Sequence, residues 1–77
     1  MEIGLDRLEP GETGWVLRLA LPPERAAALT RLGLIPGTEI RCLRRAPLGD
    51  PAAYRWRDTT AALRRRDAAG VVVEADR

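Results

Sequence analysis

The side chains of this 77-residue chain that could do chemistry are one cysteine, Cys42, eleven carboxylates and thirteen arginines. It has no histidine, serine or lysine. Without histidine there is no Ser-His or Cys-His nucleophilic pair, and the usual proton shuttle near neutral pH is missing. Without lysine the Gly-x-x-x-x-Gly-Lys-Ser/Thr phosphate loop cannot occur, so the chain is not itself a P-loop nucleotide hydrolase. One cysteine and no histidine cannot assemble the nitrogen and sulfur ligands that hold zinc or ferrous iron. Nor can a lone cysteine close an internal disulfide. The carboxylates are scattered through turns and solvent-facing positions, and nothing in their spacing supports a catalytic pair. No enzyme activity, cofactor or metal is expected, and no residue is assigned to catalysis, cofactor binding or metal binding.

The sharpest charge features are Arg44-Arg45 and Arg64-Arg65-Arg66. Arginine grips carboxylates or phosphates bidentately, so these runs could form a contact surface for anions; a solvated strand end and corner is the plainer reading. The formal net charge of +2 is too small to predict nucleic-acid binding. Gly11-Glu12-Thr13-Gly14 has the Gly-x-x-Gly pattern of a KH loop, but that loop lies between helices and here a strand follows. Cys42 alternates with Ile40 and reads as a small buried hydrophobe.

Composition bounds the elements that must carry these residues. Apolar residues make up 45% and charged residues 31%, the balance of a folded domain rather than a disordered chain. The length suits a single domain, residues 1–77, whose core supplies only roughly 3–5 kcal/mol. No apolar run approaches the roughly 20 residues that cross a bilayer, and the acidic start does not read as a secretory signal. The expected location is the cytoplasm.

Leu5 to Pro10 reads as a lead-in and Pro10 to Gly14 as a turn cluster. Trp15 to Leu21 reads as a strand with Trp15, Leu17, Leu19 and Leu21 on one face; Val16 on the other implies partial burial there too. Pro22-Pro23 opens a helix with an apolar stripe of Ala26, Leu29 and Leu32, and Gly33 is its C-cap. Thr38 to Arg45 is a strand and Ala46 to Pro51 a loop. Ala52 to Arg57 alternates, with Tyr54 and Trp56 opposite Arg55 and Arg57, which suits aromatics in the core and arginines in water. A turn at Asp58-Thr59 leads to a return strand with Ala61 and Leu63. A short helical corner at Arg64 to Asp67, a strand over Val71 to Val73 and a polar tail from Glu74 complete the chain. About five short strands and one helix pack most naturally as a small closed barrel.

The order of these residues resembles the FeoA family. Leu8-x-Pro10-Gly11 with Gly14 is similar to its opening turn, and Leu32-Gly33-Leu34-x-Pro36-Gly37-Thr38-x-Ile40 to its helix-to-strand junction. Arg45 to Pro51 is similar to its next loop, and Ala62-Leu63-Arg64 with Ala68, Val71 and Val73 to its closing segment. The matches run from about residue 5 to residue 74. Two positions depart: Asp58 stands in the hairpin turn that usually carries glycine, and Gly70 where the family tends to have an apolar residue, which predicts a looser last strand. The resemblance implies a mostly β, SH3-like barrel with one helix inserted after the first strand. It also implies an accessory role in bacterial ferrous iron uptake through FeoB, a membrane transporter with a cytoplasmic GTP-binding domain. The alternatives are a nucleic-acid-binding small barrel or an interaction module of the iron-repressor type.

Leu34, Ile35, Pro47 and Leu48 lie in or next to turns, where large apolar side chains are harder to bury. With Arg31, Arg44 and Arg45 as a rim they form a candidate docking patch; alternatively Leu34 and Leu48 cap the barrel ends as core.

Overall fold

The computed structural model describes residues 1–77. Six strands, β1 (Glu2–Gly4), β2 (Thr13–Leu19), β3 (Glu39–Arg45), β4 (Ala52–Trp56), β5 (Thr59–Leu63) and β6 (Val71–Ala75), form one antiparallel sheet in the order β1-β6-β2-β3-β4-β5. Helix α1 (Pro23–Arg31) follows β2, and the short helix α2 (Arg65–Ala68) follows β5. The sheet curls because two bulges bend it: the β2–β6 register shifts between Val16 and Arg18, and the β3–β4 register between Cys42 and Arg44. Inward-facing Val16, Ile40, Cys42, Tyr54, Trp56, Val71 and Val73 fill the interior with Leu5, Leu8, Leu29 and Leu34.

The sixth strand is β1, ahead of the Leu5–Pro10 lead-in, where the sequence predicts no element. It pairs Ile3 with Val73, and the 3-10 turn Leu5–Arg7 beyond it buries Leu5 completely. The tail is also shorter than expected, since β6 runs to Ala75, which is buried. In β2 the large residues are the outer ones. Gly14 and Val16 face the core while Trp15 and Leu17 are 41% and 37% exposed. Gly14 lies so near β6 that a Cβ there would stand 3.1 Å from Val73 Cγ2, so position 14 has little room for a side chain.

Helix α1 begins where the two prolines predict. Its C-terminus is a Schellman turn: Gly33, at φ +90°, donates to the Thr30 carbonyl at 2.9 Å, and Leu34 donates to the Leu29 carbonyl at 3.1 Å. Leu29 and Leu34 are both buried, whereas Leu32, expected in the apolar stripe, caps the helix and is 50% exposed. The β4–β5 hairpin turns one residue earlier than expected, at Arg57 and Asp58, and its left-handed residue is Arg57 at φ 52°. Gly70 does not loosen the last strand. A Cβ there would lie 2.7 Å from the Ala20 carbonyl oxygen, so glycine permits the contact in which Ala20 N–H donates to the Gly70 carbonyl at 2.6 Å.

Candidate functional site

The loop between β3 and β4 is held at three points. Ala46 donates to the Pro51 carbonyl at 2.9 Å, Gly49 (φ +90°) donates to the Ala46 carbonyl at 2.7 Å, and the Arg65 N–H at the start of α2 donates to Asp50 Oδ1 at 2.9 Å. This frame leaves Leu48 96% exposed at the loop tip, so Leu48 is not core. A large apolar side chain held in water on a fixed loop is ready-made contact area, because docking would bury it at little ordering cost. Pro47 is exposed beside it, and a shallow groove lined by Arg44, Pro47, Ala53 and Ala62 runs on from the loop.

The seven residues of the expected docking patch do not come together. Arg31 and Ile35 precede β3 and Pro47 and Leu48 follow it, so its seven residues, at about 3.3 Å each, put roughly 20 Å between the two groups. Leu34 is fully buried as part of the Schellman turn and offers nothing to a partner. Arg45 is occupied within the fold: its Nη2 donates to the Leu8 carbonyl at 2.6 Å and the Asp6 carbonyl at 3.1 Å, with Glu9 at 3.6 Å. It ties the N-terminal segment to β3. Arg44, Pro47 and Leu48 share one end of the barrel; Arg31 and Ile35 are exposed at the other.

Two further residues, Arg41 and Arg55, belong to the same outer face. Arg41 lies directly opposite Arg55, and Arg44 opposite Ala53. Alternation already put Arg55 and Arg57 outside, and Tyr54 and Trp56 are indeed buried. Which strand pairs with which, and in what register, is not written in that alternation. The fold also separates charge. Eight arginines and three carboxylates lie between Glu39 and Arg66, against five arginines and eight carboxylates in the rest. Three of those arginines, Arg64, Arg65 and Arg66, lie beyond β5; the strands β3, β4 and β5 themselves carry Arg41, Arg44, Arg45 and Arg55 against Glu39, a positive stretch that the modest total of +2 hides.

Cys42 and Glu12 serve the fold. Burial pushes the Cys42 thiol up, opposed by the charge of nearby Arg45, which makes it a poor nucleophile. Glu12 is pulled down to about 2 by hydrogen bonds from the Arg77 guanidinium and the Glu9 N–H. No three His, Cys, Asp or Glu side chains converge as a metal site would require. No helix is long and apolar enough to cross a membrane.

A family model for the FeoA domain matches residues 3–75. The chain belongs to the FeoA family. FeoA relatives share the whole architecture. A FeoA-like protein from Clostridium acetobutylicum is 30% identical, with 99% of this chain and 88% of that chain covered and a TM-score of 0.88. The FeoA protein of Chlorobium tepidum is 32% identical over 97% of this chain and 71% of that chain, with a TM-score of 0.91. FeoA from Stenotrophomonas maltophilia, determined with zinc, is 28% identical over 94% and 89%, with a TM-score of 0.84. It is described as a procaryotic SH3 domain protein and put forward as a ferrous iron transport activating factor. The six-stranded barrel is thus the SH3-like fold of a family associated with iron transport. A manganese-dependent transcriptional repressor, 20% identical with a TM-score of 0.85, shares the fold alone.

Proposed function

We propose that this chain is a cytoplasmic accessory protein of bacterial ferrous iron uptake that acts by docking on the FeoB transporter, and so reaches the membrane only through its partner. The observation that carries the reading is Leu48: a leucine 96% exposed on a loop pinned by Ala46, Gly49 and Asp50, beside exposed Arg44. An apolar anchor with a basic rim is the composition of a small protein-binding surface. Membership of an iron-transport family supplies the partner class. A nucleic-acid role has less support, because Tyr54 and Trp56, which would have to stack on bases, are buried.

The test is binding of the purified protein to the cytoplasmic portion of FeoB from the same organism, with and without guanine nucleotide. Saturable binding that changes with nucleotide is the expected result. Leu48→Asp should abolish it without unfolding the protein. No binding in any nucleotide state, to the soluble portion or to the full transporter in membranes, overturns the reading.

A further inference from the structure

Arg41 and Arg55 face each other in register across β3 and β4. Like charges at directly opposed positions of an antiparallel pair repel and lower stability. Neither is neutralised. The arginine ion pairs of the protein are made by Arg18, Arg25, Arg45 and Arg77. Glu39 lines the same cleft as Arg41, Arg55 and Arg57 but forms no ion pair with them. Small side chains flank the ladder: Thr60 lies opposite Arg55 on β5, and Ala62 opposite Ala53. The two guanidinium groups therefore stand open on the face of β3 and β4 that carries Arg44 and Ala53 further along the ladder.

We propose that this face binds an extended acidic segment of a partner protein, with carboxylates on Arg41 and Arg55 and an apolar side chain over Ala53 and Ala62 beside Pro47. The spacing suits an extended chain. Ala53 and Arg55 are alternate residues on one face of β4, about 7 Å apart, as are alternate side chains of a partner strand. Carboxylates would remove the Arg41–Arg55 repulsion and make bidentate contacts with both. Nucleic acid fits less well. Tyr54 and Trp56, the aromatics of β4 beside Arg55, are buried and offer no platform for stacking bases. The inference rests on the docking reading above and names its surface and the chemistry it takes.

The experiment compares wild type, Arg41→Glu and Arg41→Glu/Arg55→Glu for binding to the cytoplasmic portion of FeoB and for urea stability. Arg41→Glu puts opposite charges across the strands, so the fold should be as stable as wild type or slightly more so, while binding weakens at least about tenfold. The double variant restores a like-charge pair of the other sign beside Glu39; it should be no more stable than wild type and lose binding. Wild-type binding should also weaken steeply between about 50 and 500 mM salt, as screening of exposed charges requires. Binding of the double variant equal to wild type overturns this surface and leaves the docking reading standing. If wild type does not bind FeoB at all, the docking reading fails, and a hexaglutamate peptide titrated into the full chain and followed by amide NMR decides the surface alone. Shifts confined to β3, β4 and β5 that vanish in the double variant uphold it. No shifts, shifts elsewhere, or tighter binding of an oligothymidylate of equal charge overturn it.

Discussion

Trp56 donates its indole N–H to the Leu32 carbonyl at 2.9 Å, joining the end of β4 to the cap of α1. The bond satisfies one of the carbonyls that a helix C-terminus leaves without an intrahelical partner. Trp56 is 1% exposed, so its ring also fills the core. Trp56→Phe removes the bond and part of the ring volume. It should cost about 2 kcal/mol, read as a lower urea midpoint at unchanged m-value. A midpoint equal to wild type would mean that the helix is held by its apolar face alone.

Arg44 and Arg45 are neighbours of the same type with opposite expected behaviour. Arg45→Ala strips the Leu8 and Asp6 carbonyls of a charged donor and should cost about 2–3 kcal/mol. Arg44→Ala, exposed and opposite Ala53, should stay within about 0.5 kcal/mol of wild type. Thermal or urea unfolding of the pair checks both, and equal losses would contradict the assignment of Arg45 as the tie.

Gly70→Ala tests whether the last strand depends on close approach. The added methyl would press on the Ala20 carbonyl oxygen at 2.7 Å and Leu21 Cγ at 2.8 Å. The backbone must shift, and a loss of about 1–3 kcal/mol is expected. Amide exchange should speed up first at Ala20, whose N–H donates to the Gly70 carbonyl.

Burial pushes the Tyr54 hydroxyl up to about 12 from 10.0. The folded-state value is raised, so its contribution to stability is complete below pH 10 and is lost as pH rises from 10 to about 12. The size is on the order of 2 kcal/mol. Tyr54→Phe should flatten this part of the alkaline stability profile relative to wild type. The Cys42 thiol, also held up by burial, contributes a slope of the same sign that Tyr54→Phe leaves in place.

The sequence by itself determined the elements whose signals are local. The two prolines and Gly33 bounded α1. Alternation sent Tyr54 and Trp56 inward and Arg55 and Arg57 outward. The missing histidine, serine and lysine excluded most catalytic classes before any fold was known. Tertiary structure decided what depends on partners distant in the chain. Glu2–Gly4 is a strand because β6 offers it an edge, and no residue within that triplet announces it. Trp15 faces out because Gly14 must approach Val73, which reverses the order that side-chain size alone suggests. Leu34 and Leu48 look alike as apolar residues in turns, yet the Schellman turn buries one and the pinned loop exposes the other. Arg41 meets Arg55 only through the register of β3 on β4, which pairs residues far apart in sequence. Local preferences are fixed by neighbours along the chain, whereas burial and charge proximity are fixed by neighbours in space, and the proposed docking surface is made of the second kind.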